Sequence, residues 1–396
     1  MMHLLRYWFD ALVALIEGLL VVVSVRKGVT RSPERVLVVR IDGIGDFVLW
    51  IEAARALRRI YPPERYTLTL LANKSWIELA RQQLDFDEYW PCEREVYFKS
   101  SCYRFGIWKR IRGAGCNVVV FPAYSREFLV DVIAWISGAR ERISFENDDL
   151  ANTTPLLKWF GSRCYTRLVD ATPGVRMELI RNAEFVRALG DRDFRATTPR
   201  MVASEPTATG VVSSKKYFVI VPGGGWSNKR WPIDRFFEIA QRLNTATGWE
   251  AVIVGGSGDT ALARQLSASA SFPVTDRTGG TSVLELVEVI RRAQLVVSND
   301  TGSAHIAAAV GVCCASILGG AHFGRFLPYE VETSDRSTAL HAVYHRMSCY
   351  GCNWRCVYGI AEGQPVPCVD RVSVNQVWDT VKSMIEQASV NQFNAP

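Results

Sequence analysis

The sequence predicts an α/β protein made of two Rossmann-like domains. Short apolar runs rich in β-branched residues alternate with segments whose apolar residues recur every three or four positions, as strands alternate with helices in α/β folds. The chain has 396 residues, which is too long for a single typical core. Glycine-containing turns follow apolar runs in both halves of the chain. Such turns lie at the carboxyl ends of strands, which is where parallel α/β sheets bind ligands.

The composition favours an ordered globular protein with an anionic partner. Hydrophobic residues make up 48% of the chain and charged residues 22%, a balance typical of folded domains. The formal net charge is +6, without a long Lys/Arg block. This argues against a nucleic-acid partner and fits an anionic substrate or an anionic membrane surface.

Residues 1–35 are predicted to be a separate N-terminal segment. Its apolar run at 11–25 is about 15 residues long, short of the roughly 20 that span a bilayer. Arg6 precedes the run, Arg26 and Lys27 follow it, and no small-residue cleavage site stands out. We expect a helix lying on the inner face of the cytoplasmic membrane; the alternative is a helix packed on the body of the protein.

The first domain is expected over residues 36–205. It opens with a strand at 36–40, a loop that contains Gly43 and Gly45, and a helix at 47–60. Asp46 would sit at the helix N-terminus, where the dipole favours the ionised carboxylate, so it is a candidate base; an N-cap is the alternative. The loop lacks the full dinucleotide fingerprint, which argues against an oxidoreductase. Further elements are predicted as strands at 67–72 and 118–122 and helices at 75–83, 104–112, 128–137 and 177–189.

The second domain is expected over residues 212–345, after a linker-like stretch at 197–214. Its first strand, at 217–221, runs into Pro222 and three glycines, which permit positive φ and close backbone approach. The N–H groups of such a loop, with Lys229 and Arg230 beyond them, suit a phosphate group. The alternative is a tight turn with surface cations.

Two more strand ends in this domain carry polar groups. A strand at 250–254 is followed by a glycine turn and Asp259, which is predicted either to accept from a ribose hydroxyl or to cap a helix. Helices are expected from 260 and at 282–292. After a strand at 295–297, the stretch 298–305 offers hydroxyls, a carboxylate and His305 ahead of a helix at 306–310 and a strand at 312–318. These groups suit the phosphates and hydroxyls of a nucleotide sugar.

Ten cysteines are present. Six are isolated in apolar patterns and are expected to be buried free thiols in a reducing compartment: Cys92, Cys102, Cys116, Cys164, Cys313 and Cys314. The other four, Cys349, Cys352, Cys356 and Cys368, lie in a C-terminal segment, residues 346–396, that also carries a predicted helix at 374–385. This spacing allows a structural zinc site, with two disulfides or free thiols as the alternatives.

Three stretches in order resemble one family: residues 38–46, 222–232 and 298–309. They are similar to motifs of the heptosyltransferase family (glycosyltransferase family nine) of lipopolysaccharide core assembly. The resemblance implies a GT-B architecture, with two Rossmann-like domains facing across a cleft. It also implies transfer of a sugar, often heptose from ADP-heptose, with inversion and without a required metal or other cofactor.

The resemblance also assigns roles. Asp46 would take the proton from the acceptor hydroxyl, and Lys229 would steady the donor diphosphate. Arg40 would orient Asp46 or meet an anionic acceptor. The candidate substrate-binding residues are Arg40, Gly45, Gly224, Gly225, Ser227, Arg230, Asp259, Asp300, Thr301, Gly302 and His305.

The partners expected from this reading are a nucleotide-sugar donor, a glycolipid or polysaccharide acceptor and the inner membrane surface. The protein would then be cytoplasmic and peripheral to that membrane. The alternative function is a non-catalytic, membrane-associated assembly or sensor protein that binds a nucleotide on the same fold.

Overall fold

A computed structural model describes residues 2–29, 32–146, 155–203, 215–333, 339–361 and 363–393 of the chain. Most of the predicted linker, residues 204–214, lies outside them. The chain divides into two compact units, which are described separately. Unit 1 comprises Met1–Gly174 and Ile180–Arg195, and unit 2 comprises Val175–Leu179 and Ala196–Pro396.

Unit 1 is built on a six-stranded parallel sheet in the order β3-β2-β1-β4-β5-β6. Its strands are β1 (Glu34–Arg40), β2 (Tyr66–Asn73), β3 (Glu88–Cys92), β4 (Val118–Phe121), β5 (Glu141–Phe145) and β6 (Arg167–Val169). The connecting helices are α1 (Met2–Ser24), α2 (Ile44–Ile60), α3 (Ile77–Gln83), α4 (Arg94–Lys99), α5 (Ser101–Gly113), α6 (Phe128–Ser137), α7 (Pro155–Arg163) and α8 (Glu178–Leu189). The central strands are buried, which explains their continuous apolar runs.

Unit 2 repeats this plan with a second parallel sheet, in the order β12-β11-β10-β7-β8-β9. Its strands are β7 (Tyr217–Val221), β8 (Glu250–Ile253), β9 (Val274–Asp276), β10 (Val296–Asn299), β11 (Cys314–Ile317) and β12 (Leu340–Val343). Its helices are α9 (Ile233–Thr247), α10 (Thr260–Ser269), α11 (Val283–Arg291), α12 (Gly302–Ala309), α13 (Pro367–Asp370) and α14 (Val374–Phe393). Because β7 and β10 are parallel neighbours, the loops that follow them meet at one edge of the sheet.

Helix α1 packs on the body of unit 1 along one face. Ala14 and Val21 are buried in the unit's core, and a Cβ at Gly18 would lie 2.7 Å from the ring of Trp135. Glu17 pairs with Arg104 at 2.8 Å in a largely buried ion pair. The opposite face is apolar and more than half exposed, at Leu12, Ile16, Leu19, Leu20 and Val23. In the part of the chain that the structure describes, no helix is both long and apolar enough to cross a membrane.

Two expectations need correction. Strands β3, β5, β6, β9 and β12 were not predicted from the sequence. Four of these, β3, β6, β9 and β12, are the edge strands of the two sheets, where one flank faces no neighbouring strand and a buried apolar run is not required. Among the isolated cysteines, Cys102 is exposed rather than buried, because it lies in the first turn of α5, away from that helix's buried face, and Cys313 is only half-buried.

Candidate active site

Asp46 lies in the first turn of α2, three residues after the N-cap Gly43. Its carboxylate turns back toward the cap, since a Cβ at Gly43 would lie 3.3 Å from Oδ2. The side chain is partly exposed, so both a substrate hydroxyl and water can reach it. The helix N-terminus favours a negative charge at this position, which is the charge state that a general base needs.

Arg40, at the end of β1, is buried beneath this loop. Its Nε pairs with Asp42 at 2.8 Å, its Nη2 donates to the backbone carbonyl of Asp46 at 3.3 Å, and its guanidinium lies over the ring of Trp50. Arg40 therefore contacts the backbone of the candidate base, whereas its ion pair is with Asp42. With only 1% of its surface exposed, Arg40 fits an orienting role better than direct contact with an acceptor.

A second carboxylate near Asp46 was not found from the sequence. Partial desolvation raises the pKa of Glu127, whose side chain is 48% exposed. The ion pair with Arg94, at 2.8 Å, opposes this rise, and the charge of Asp46 adds a smaller one. Glu127 is the N-cap of α6, far from any motif in the chain. Only the fold brings it close enough to Asp46 for the two charges to interact.

In unit 2, Asn299 ties the two motif loops together. This side chain, at the end of β10, is 1% exposed. Its Nδ2 donates to the carbonyls of Pro222 and Gly223 at 2.8 and 3.1 Å, and its Oδ1 accepts from the Trp231 N–H at 3.0 Å. Asn299 was not predicted as a site residue, because an amide within a strand gives no chemical signal by itself.

Lys229 ends a 3-10 turn, Ser227–Lys229, that follows the glycine loop. Burial lowers the pKa of its ammonium, and the charge of Asp300 partly opposes this shift. Asp300 directly follows β10, so the cation and the carboxylate come from the two strand ends that the parallel sheet places side by side. Thr301 is the N-cap of α12, and its hydroxyl lies 3.1 Å from that of Ser298. Gly302 is the first residue of α12.

His305 is buried inside unit 2, with 4% of its surface exposed. Its Nδ1 shares a hydrogen bond of 2.8 Å with the hydroxyl of Tyr329, and the two rings stack. Burial lowers the pKa of His305 to about 4, so the imidazole is neutral at physiological pH. It can orient a neutral polar group but does not supply positive charge to a phosphate.

Asp259 is held by the protein itself. Its Oδ2 accepts from the Gly256 N–H at 3.0 Å, which caps the 3-10 turn Ser257–Asp259, and its Oδ1 pairs with Arg230 at 3.2 Å. Asp259 is the N-cap residue of α10 by position, but its side chain makes no cap hydrogen bond to that helix. Arg230 also donates to the carbonyl of Gly224. The ribose role for Asp259 stays a prediction.

The glycine loop differs from expectation in its backbone. None of Gly223, Gly224 and Gly225 adopts the left-handed conformation. Gly223 is required by close approach, because a Cβ there would lie 2.2 Å from Oδ2 of Asp259. A Cβ at Gly225 would meet nothing within 4 Å, so the protein itself does not crowd this position.

The four clustered cysteines are free thiols that line one pocket, together with Gly320 and Trp354. The Gly320 N–H donates to Cys368 Sγ at 3.3 Å. Burial raises the pKa of Cys352 and Cys368, and neighbouring thiols add to the rise, so both are protonated at neutral pH. Within the described residues, no group of three or more His, Cys, Asp or Glu side chains is arranged to hold a metal ion. The structural zinc stays a prediction.

Comparison with known proteins bears on this site. Residues 177–347 match the model of glycosyltransferase family 9 (heptosyltransferase), which includes the second and third motifs but not Asp46. A comparison with curated protein sequences gives no match.

Solved structures show the fold. A glycosyltransferase of family 9 from Veillonella parvula is 15% identical, with a TM-score of 0.70, over 91% of this chain and 99% of its own. E. coli ADP-heptose LPS heptosyltransferase II is 16% identical, with a TM-score of 0.65, over 90% and 99%. E. coli heptosyltransferase WaaC with ADP is 15% identical, with a TM-score of 0.59, over 89% and 99%.

These findings confirm the fold class and the family resemblance predicted from the sequence. Both six-stranded parallel sheets belong to an α/β fold of the GT-B type, which the solved heptosyltransferases share. The chain is therefore a glycosyltransferase, and its residues 177–347 match the glycosyltransferase family 9 (heptosyltransferase) model.

Proposed function

We propose that this glycosyltransferase moves heptose from ADP-heptose to a glycolipid or polysaccharide acceptor of the lipopolysaccharide type, with inversion at the anomeric carbon. The observation that carries the proposal is that Lys229, in the turn after the glycine loop that follows β7, and Asp300, directly after β10, are close enough for their charges to interact. A nucleoside diphosphate needs such a cation, and solved heptosyltransferases with ADP and with an ADP-heptose analogue share the fold.

In the proposed reaction, Asp46 takes the proton from an acceptor hydroxyl as its oxygen attacks the anomeric carbon. The bond from that carbon to the diphosphate oxygen breaks, and ADP leaves with the bonding electron pair. Lys229 stabilises the charge that grows on the leaving diphosphate, so its contact is strongest in the transition state. The proposed step calls for no metal, since Lys229 would supply the positive charge.

Other residues would orient these groups. Arg40 holds the Asp46 backbone, and the free surroundings of Gly225 leave room for a phosphate against the loop. Thr301, Gly302 and Ser227 would offer hydroxyl and N–H groups to the donor, while His305 would hold a sugar or ribose hydroxyl in its neutral form.

The test is a donor panel. Purified protein receives ADP-, UDP- and GDP-linked sugars, ADP-heptose among them, with a membrane-lipid extract as acceptor. The proposal expects turnover of ADP-heptose and a product of inverted anomeric configuration by NMR. Turnover of another donor alone would overturn the heptose assignment. Tight ADP binding without any turnover would instead favour the non-catalytic alternative.

We further propose that α1 lies on the inner face of the cytoplasmic membrane. Its exposed apolar stripe of Leu12, Ile16, Leu19, Leu20 and Val23 recurs at helical spacing and is followed by the exposed cations Arg26 and Lys27. An apolar face beside basic residues is the pattern that binds an anionic lipid interface.

Vesicle sedimentation tests this placement. Val23→Glu is compared with Val357→Glu, since the two valines are 79% and 73% exposed and lie in different units. On vesicles containing anionic lipid, Val23→Glu should weaken binding by about 10-fold or more, from lost burial and added repulsion. Val357→Glu should bind as wild type does. Equal binding by all three proteins would exclude α1 as the contact.

A further inference from the structure

The cysteine-rich segment, residues 346–370, contacts the ammonium group of Lys229 directly. The Nζ atom of Lys229 lies 4.0 Å from the ring centroid of Trp354, which stands between Cys352 and Cys356. An ammonium this close to an indole face is in cation–π range. The contact joins a residue of the second motif to a residue that no motif includes.

The backbone that presents Trp354 is unusual. Asn353 and Trp354 have φ of 48° and 61°, in the left-handed region that non-glycine residues seldom occupy. Asn353 is fixed in this conformation because its N–H donates to the carbonyl of Ala321 at 3.2 Å and its Oδ1 lies 2.6 Å from His322 Nε2. Left-handed non-glycine residues persist where the surroundings over-determine them, and they gather at functional sites.

The indole itself is held by packing. It meets Trp226 and His322 edge to face, with centroids 5.5 and 5.9 Å apart, and a Cβ at Gly319 would lie 3.3 Å from it. The buried indole N–H has no hydrogen-bond partner among the described residues. The direction of the ring face toward Lys229 therefore depends on these neighbours.

The same segment also binds the residue before Lys229. Asn228 is buried, its Nδ2 donates to the carbonyls of Ala361 and Gln364, and its own carbonyl accepts from the Val366 N–H at 2.8 Å. The segment thus contacts the turn that carries Lys229 through hydrogen bonds with Asn228, and it contacts the Lys229 ammonium through the ring of Trp354.

We infer that Trp354 is a positioning residue for the donor: its ring fixes the Lys229 ammonium where the diphosphate binds. The inference rests on the proposed role of Lys229. A flexible lysine side chain loses much rotamer entropy when ligand binding fixes it. Because the Trp354 ring already restricts the side chain before the donor binds, less of that entropy is lost on binding. The cysteine-rich segment is then part of the donor site.

A double-mutant cycle tests this. ADP affinity is measured by calorimetry for wild type, Trp354→Leu, Lys229→Ala and the double variant. In the wild-type background, Trp354→Leu should weaken ADP binding by about 2- to 30-fold, the range of a cation–π contact. In the Lys229→Ala background it should change affinity by less than about 2-fold, because the group it positions is gone.

Two further variants separate positioning from general damage. Trp354→Phe keeps an aromatic face and should recover most of the affinity. Trp378→Leu removes a tryptophan of unit 2 whose ring lies near Arg242 on α9, and it should leave ADP affinity unchanged.

The outcomes are distinct. Equal weakening by Trp354→Leu in both backgrounds, or none in either, would overturn the inference and leave the proposed function standing. If Lys229→Ala binds ADP as wild type does, the donor role of Lys229 fails, and the inference fails with it.

Discussion

Replacement of Asn299 should both destabilise unit 2 and loosen the glycine loop at residues 222–225. Asn299→Ala removes three hydrogen bonds and leaves the Trp231 N–H and two carbonyls unpaired in a buried place. The two bonds to the carbonyls contribute about 1 kcal/mol net each, and the unsatisfied buried N–H that loss of the third bond leaves costs about 1–3 kcal/mol. The expected loss in the free energy of unfolding is therefore about 3–5 kcal/mol.

Urea unfolding monitored by tryptophan fluorescence measures the stability, and calorimetry measures ADP affinity. Asn182→Ala is the matched control, because Asn182 is a buried asparagine of unit 1 whose Nδ2 donates to the Leu49 carbonyl. It should lower stability by about 1 kcal/mol and leave ADP affinity unchanged. An Asn299→Ala protein within about 1 kcal/mol of wild type, with wild-type ADP affinity, would refute the reasoning.

Three more predictions follow from the described contacts. Gly223→Ala should destabilise unit 2 and weaken ADP binding because its Cβ meets Asp259, whereas Gly225→Ala should leave urea stability unchanged; equal stabilities would contradict this. Because the pKa of His305 is lowered to about 4 in the folded state, the unfolded chain takes up the proton at a higher pH than the folded protein does. The free energy of unfolding should therefore fall as the pH drops from about 6.5 to about 4, and His305→Gln should flatten that fall in acid titrations of stability. Glu17→Gln should lower stability by about 3 kcal/mol in urea, since it leaves Arg104 buried and unpaired, and a change under about 1 kcal/mol would show that α1 is not docked by this pair.

The central strands were predictable because burial on both faces leaves a simple signal. Strands β1 and β7 contain continuous apolar runs, β10 opens with two valines, and the loops at their ends carry the motifs. The edge strands were not predictable, because one side of an edge strand has no neighbouring strand and its sequence need not be a continuous apolar run. Strand β3 contains Pro91, and β9 ends in the exposed Asp276.

The chemistry of the site divides in the same way. Asp46, Lys229 and Asp300 could be proposed from the sequence because charged groups beside glycine turns are conspicuous in it. Trp354 and Glu127 could not be, since each comes near a motif residue only through the tertiary fold. For helix α1, the sequence showed an apolar run, but only the structure separates its buried face from its exposed one.

The most direct test of the proposed mechanism compares heptose transfer from ADP-heptose by wild type and Asp46→Ala, with ADP affinity measured on both. Asp85→Ala serves as control, because that side chain is 87% exposed on the same unit. We expect Asp46→Ala to lose about 10²- to 10⁴-fold in turnover, the usual contribution of a general base, while binding ADP as wild type does. Wild-type turnover by Asp46→Ala would contradict the assignment of the base.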